Sequence, residues 1–130
     1  MEQRVIKFRA WDCFNGVMYY SDNFKSLSLY FAFCEDCIKG GNKLIQMQYT
    51  GLKDKNGIEI YKESICQVTK FMRCRIFIDL YEGIKIEWIG KNARVRMFKE
   101  RIEPIFRNHE ITFEVIGNIY ENPNLLKLLE

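Results

Sequence analysis

The sequence predicts a mainly β, barrel-like or sandwich-like single domain of short antiparallel strands, spanning residues 1–130 and closing on a short C-terminal helix. Three observations predict it. Apolar and polar residues alternate at a spacing of two through most of the chain. Turns containing Gly and Asn interrupt that alternation at short intervals. Aromatic residues make up 15% of the chain, with 10 Phe and 7 Tyr, and flat rings pack well on a pleated surface. At 130 residues the chain is long enough to bury a core without metal or disulfide staples. Closing the sheet also removes edges that would pair with other chains.

In order along the chain, Ile6, Phe8 and Ala10 share one side of a first strand, and Lys7, Arg9 and Trp11 share the other. Asp12-Cys13-Phe14-Asn15-Gly16 is a turn, and Val17–Tyr20 is the returning arm. Leu27, Leu29, Phe31 and Phe33 alternate with Ser26, Ser28, Tyr30 and Ala32, which predicts a third strand over 26–33. Residues 34–42 read as a polar connection ending in Gly40-Gly41. Lys43–Tyr49 is a strand leading to a charged loop, where Asn56-Gly57 signals a type I′ hairpin turn and Ile58–Tyr61 begins the return.

Residues 65–70 and 71–80 follow as one or two strands. Met72, Cys74, Ile76, Ile78 and Leu80 face one way; Phe71, Arg73, Arg75, Phe77 and Asp79 face the other. Ile84–Ile89 is a strand with Ile84, Ile86 and Trp88 on its apolar side, and Ala93–Phe98 is another. Residues 98–106 are expected to hold a helical turn or two before Pro104, and 111–120 form the last strand. In the tail, Asn122 is placed as N-cap and Pro123 at the first helical position. Leu125, Leu126, Leu128 and Leu129 then need burial, against their own barrel or a neighbouring subunit, and are candidate oligomer contacts.

Composition narrows the function. The net charge of +3 does not by itself imply a polyanion partner. Met1–Lys7 has neither the apolar run nor the small-residue site of a signal peptide, and no run approaches the ~20 apolar residues of a membrane span. A soluble, cytoplasmic protein is expected. The 5 cysteines are an odd number without repeated spacing, which favours reduced, mostly buried thiols.

Cys34 and Cys37 form a single CxxC. Structural zinc needs four ligands, and Cys66, Cys74 and the lone His109 do not supply a second pair. A redox CxxC would sit in a βαβ unit, which this pattern lacks. No metal or cofactor is expected. His109, in the polar turn Arg107–Glu110, reads as a solvated surface residue. Asp12, Asp22, Asp54 and Glu59 fall in or beside loops, where carboxylates cap turns. No nucleophile, phosphate-loop or dinucleotide motif occurs, so neither catalytic residues nor a small-molecule ligand are expected.

Charge distribution gives the strongest functional lead. Residues 70–107 carry ten Lys or Arg against five acids. By alternation Arg73, Arg75, Lys85, Arg94 and Arg96 leave the apolar face together, with Phe71 and Phe77 among them. Aromatic rings among cations are the platform that single-stranded nucleic acid uses. A solvated outer face has the same composition, since basic residues also discourage edge pairing.

Three blocks give the chain a family resemblance. Ile6–Asp12 is similar to IKFRAWD, Gln48–Tyr61 to MQYTGLKDKNGKEIYEGDI, and Glu114–Pro123 to EVIGNIYENPEL, in the same order as in the YopX-like proteins of phages and prophages. The chain departs from the pattern at Tyr61-Lys62-Glu63-Ser64-Ile65, where YEGDI is usual, so a different turn conformation is expected there. The resemblance implies a β-rich pseudo-barrel, encoded by a phage or prophage, that self-associates, and it brings no catalytic residues. The expected role is that of a protein-interaction module, forming a homo-oligomer or binding a phage or host protein. A nucleic-acid-binding small barrel is the alternative.

Overall fold

The computed structural model describes residues 5–68, 72–79, 81, 83–89, 99–101 and 112–126. The fold is mainly β. Strands β1 (Phe8–Asp12), β2 (Val17–Tyr20), β3 (Leu44–Lys53) and β4 (Glu59–Tyr61) form one antiparallel sheet in the order β2-β1-β3-β4. Strands β5 (Ser64–Gln67), β6 (Arg73–Asp79), β7 (Gly83–Ile89), β8 (Lys99–Arg101) and β9 (Glu114–Asn118) form a second, in the order β8-β7-β6-β5-β9. No helix among the described residues is long and apolar enough to cross a membrane.

The segment expected as a third strand is instead a helix, α1 (Leu27–Lys39). Ser26 caps it, its hydroxyl accepting from the Leu29 amide at 3.2 Å. Glu35 and Lys39 pair one turn apart, and Gly40-Gly41 ends it, with Gly41 at φ 102°. The alternation of 27–33 is real but short. Over the full length, Tyr30, Phe33, Cys34 and Cys37 recur at helical spacing and supply the inward face. Tyr30 is fully buried while Leu29 is 53% exposed, the reverse of the strand phase.

α1 covers one face of the first sheet, where Tyr30 and Cys34 pack with Ala10, Phe8, Tyr19 and Leu44. The Tyr30 hydroxyl donates to Gln46 at 2.7 Å. The opposite face of that sheet meets the second. Arg9, expected on a wet side, is only 5% exposed, and Trp11 stacks on Tyr120. A sheet covered on both sides has no solvent face, so alternation along β1 separates two interiors.

Around the second core, Cys66, Cys74, Ile76 and Ile86 close on Ile60, Val68 and Phe113 as a half-barrel. All five cysteines are free thiols; Cys34, Cys66 and Cys74 are buried, and Cys13 is exposed. Strand β8 lies where helical turns were expected, paired to β7. The strand predicted over 93–98, His109 and the segment around Pro104 lie outside the described residues.

The loop at Asn56-Gly57 differs from the type I′ expectation. Only Gly57 has positive φ, at 82°, and the Gly57 amide donates to the Asp54 carbonyl. That is a three-residue connection built on a type I turn with a left-handed glycine. Asp54 explains the choice. Its carboxylate accepts from the amides of Asn56, Ile58 and Val115, each at 2.8 Å, tying the loop to β9.

Asp12 does the same for the β1–β2 turn. Fully buried, it accepts from the amides of Phe14 and Asn15 and from the side chains of Asn15, Asn42 and Tyr19. These donors, the Asn15 amide foremost, hold its carboxyl below the usual range, burial opposing them. A depressed folded-state pKa stabilises above the unfolded value and loses that contribution as pH falls through the folded one. Asp12→Ala is therefore expected to melt lower than the parent at neutral pH. The gap should close as pH drops below about 4, read from melting curves across pH.

Candidate functional site

β6 places Arg73, Arg75 and Phe77 on one side and Cys74 and Ile76 on the other. Its register against β7 sets Phe77 opposite Lys85 and Arg75 opposite Glu87. Four of the seven proposed nucleic-acid contacts therefore share one face. Phe71, Arg94 and Arg96 lie outside the described residues.

That face looks into the protein. Ile65, directly opposite Arg75 on β5, is fully buried. Arg75 and Phe77 line a cavity of about 350 Å³ together with Ile45 and Met47 of β3 and Tyr120. The guanidinium groups have internal partners. Arg75 donates twice to one oxygen of Glu63, at 2.7 and 3.1 Å, and the Glu63 side chain is 5% exposed. Arg73 donates to Gln67 at 3.2 Å and to the Leu125 carbonyl at 3.4 Å. Sequence reasoning passed over Glu63 as a partner, because nothing in the β4–β5 turn shows that its side chain points at β6.

Glu63 also has an uncommon backbone. Its φ is 71°, and its amide and carbonyl are both engaged, to Ile76 at 2.6 Å and from Ile119 at 3.2 Å. A glycine adopts that conformation without steric cost. Here a glutamate holds that backbone, at the position where the YEGDI pattern has its glycine. The adjacent Ser64 hydroxyl accepts from the Tyr61 amide at 3.0 Å and closes the turn.

The tail folds back on its own chain. Pro123–Leu126 form a 3-10 turn. The Oδ1 of Asn122, just before it, accepts from the Asn118 amide at 3.3 Å. A Cβ at Gly117 would lie 2.9 Å from Leu125 Cδ1, so that leucine seats directly on β9. Leu125 and Leu126 are half-buried; Leu128 and Leu129 lie outside the described residues.

Exposed apolar side chains are spread over the described surface, from Val5 and Ile6 to Ile58 and Tyr81, and three of them lie near the β1–β2 turn: Phe14 is 78% exposed, Val17 at the start of β2 is 42%, and Ile38 near the end of α1 is 53%. The bond from the Cys13 amide to the Lys43 carbonyl, and that from Asn42 to Asp12, bring the end of α1 to this same turn. Among the described residues no strand pairs with the outer edge of β2.

The sequence pattern described as "YopX protein" matches residues 7–127. The chain belongs to the YopX family. Among solved structures it is similar to the crystal structure of protein EF1440 from Enterococcus faecalis. The two share 23% identity over 96% of this chain and 100% of that one, with a TM-score of 0.54, a likeness of fold. No curated protein matches. For this YopX-family chain the three resembling blocks are structurally adjacent: Trp11 of the first stacks on Tyr120 of the third, and Asp54 of the second binds the Val115 amide.

Proposed function

We propose that this YopX-family protein is a non-enzymatic phage or prophage accessory protein that acts by binding, as an interaction module whose first partner is a second copy of itself. The observation that carries this is the outer edge of β2, which has no strand partner among the described residues and is flanked by exposed Phe14, Val17 and Ile38. An unpaired edge presents a row of amides and carbonyls, and β2, Val-Met-Tyr-Tyr, has no Lys, Pro or acidic residue to block pairing. Antiparallel pairing of two such edges about a two-fold axis would join the four-stranded sheets of two copies and cover the apolar flank.

A polyanion partner has less support. Arg75 is neutralised by Glu63 and turned toward a cleft between the sheets. Leu125, of the tail leucines, packs on its own fold through Gly117 and Arg73.

Phe14→Lys/Val17→Lys is the test, with mass read by light scattering over a concentration series. The parent is expected to associate as a dimer and the double variant to run as a monomer with unchanged circular dichroism. A parent that stays monomeric at the highest concentration, or a double variant that still dimerises, would overturn the proposal. Binding of oligonucleotides by the parent that falls steeply between low and physiological salt would support nucleic acid as the partner instead.

A further inference from the structure

Two Asn-Gly pairs occur in the sequence, Asn15-Gly16 in the β1–β2 turn and Asn56-Gly57 in the β3–β4 loop. Their backbones are alike. Both pairs lie on the surface, both glycines have positive φ, at 66° and 82°, and a Cβ at either would meet nothing within 4 Å. Both glycine amides also donate to a main-chain carbonyl, Gly16 to Asp12 at 2.8 Å and Gly57 to Asp54 at 3.0 Å. The asparagine side chains are not alike. Asn15 is tethered, its Nδ2 donating to Oδ2 of the fully buried Asp12 at 3.0 Å. The Asn56 side chain has no hydrogen-bond partner among the described residues, although its main-chain amide is anchored on Asp54 at 2.8 Å.

We propose that Asn56 is a site of spontaneous covalent modification, cyclising onto Gly57, and that the fold shields Asn15 from the same reaction. Glycine is the residue that permits it, because no side chain covers its amide nitrogen. The deprotonated Gly57 nitrogen adds to the side-chain carbonyl carbon of Asn56 and a carbon–nitrogen bond forms. The side-chain nitrogen takes up a proton and leaves as ammonia, so a succinimide ring remains. Water then opens the ring at either carbonyl, giving aspartate or isoaspartate. No electrons are transferred, and water is the only co-reactant. At Asn56 the ring closes once the Gly57 amide leaves the Asp54 carbonyl. At Asn15 the side chain must also leave a buried carboxylate, which slows closure about tenfold to a hundredfold. Isoaspartate lengthens the main chain by a carbon, just where Asp54 holds the amides of Asn56, Ile58 and Val115. Conversion therefore loosens the tie between this loop and β9. The reaction needs a single chain and does not depend on pairing at β2.

Dilute protein, kept below the concentrations that favour pairing, is incubated in mildly alkaline buffer at physiological temperature. Peptide mass mapping follows both sites in the same sample, reading the exchange of an amide for an acid and the isoaspartate from backbone fragments. Asn56 is expected to convert about tenfold to a hundredfold faster than Asn15 in the folded protein, and the two at similar rates in urea. Asp12→Ala, held below its melting temperature, should raise the Asn15 rate towards that of Asn56 and leave Asn56 unchanged. No conversion at Asn56, Asn15 converting as fast as Asn56 in the folded parent, or Asn15 remaining slow in folded Asp12→Ala would each overturn the proposal.

Discussion

Arg75→Met is expected to lower the stability of the fold by about 1–3 kcal/mol, between exposed and fully buried ion pairs, because the Arg75 side chain is 33% exposed while the Glu63 carboxylate that it leaves behind is 5% exposed. The Glu63 side chain is 5% exposed and both of the hydrogen bonds shown for it come from Arg75, so a neutral thioether leaves its charge uncompensated. A second substitution separates this from simple loss of packing. Glu63→Gly removes the orphaned charge and relaxes the positive φ of 71° at the same position. Arg75→Met/Glu63→Gly is therefore expected to recover much of what Arg75→Met alone loses. Urea denaturation of the parent, both single variants and the pair gives the coupling as a double-mutant cycle. A loss below about 1 kcal/mol for Arg75→Met, the range of exposed ion pairs, would show that solvent already screens the contact.

Gly117→Ala is expected to be nearly as disruptive, for a steric reason. The added methyl carbon would sit 2.7 Å from Asn122 Cγ and 2.9 Å from Leu125 Cδ1. Asn122 is exposed and can swing away only by giving up the bond from the Asn118 amide to its Oδ1. Overpacking of this kind costs about 1–3 kcal/mol. The tail should detach from β9, taking the Leu125 carbonyl away from Arg73. Limited proteolysis would then cut after Asn118 faster than in the parent. Equal protection in parent and variant would mean that the Pro123–Leu126 turn is not seated on Gly117.

Much of this architecture was legible from residue order. β1, β2, β3, β6, β7 and β9 follow the alternation, and the turns at Gly16 and Gly57 end strands where the sequence places them. Two kinds of information were not local. Residues 27–33 satisfy strand and helix spacing at once, and only Cys34 and Cys37, beyond the strand window, together with the Ser26 cap, decide for α1. The side of a strand is the other. Alternation correctly set Arg73, Arg75 and Phe77 on one face, but which face meets solvent depends on how the two sheets stack. Arg9 is the clearest case. Read along β1 it belongs to a wet side; with β5 and β9 in place it lies beneath Ser64 and over the Tyr61 ring.

The site itself was less legible than the fold. Carboxylates expected to cap turns do so at Asp12 and Asp54, because that job is local. Asp22 and Glu59 instead meet at Lys7, 15 and 52 residues away in sequence, and no spacing announces that meeting. The cleft at Arg75 likewise draws on residues near positions 46, 75 and 120, which come together only once both sheets have formed.

Amide hydrogen exchange along Val17–Tyr20, followed against protein concentration, tests self-association through β2 most directly. Protection of these amides is expected to rise with concentration in the parent and to stay flat in Phe14→Lys/Val17→Lys, while β6 and β7 exchange alike in both. Protection along β2 that is independent of concentration in the parent would contradict pairing at this edge.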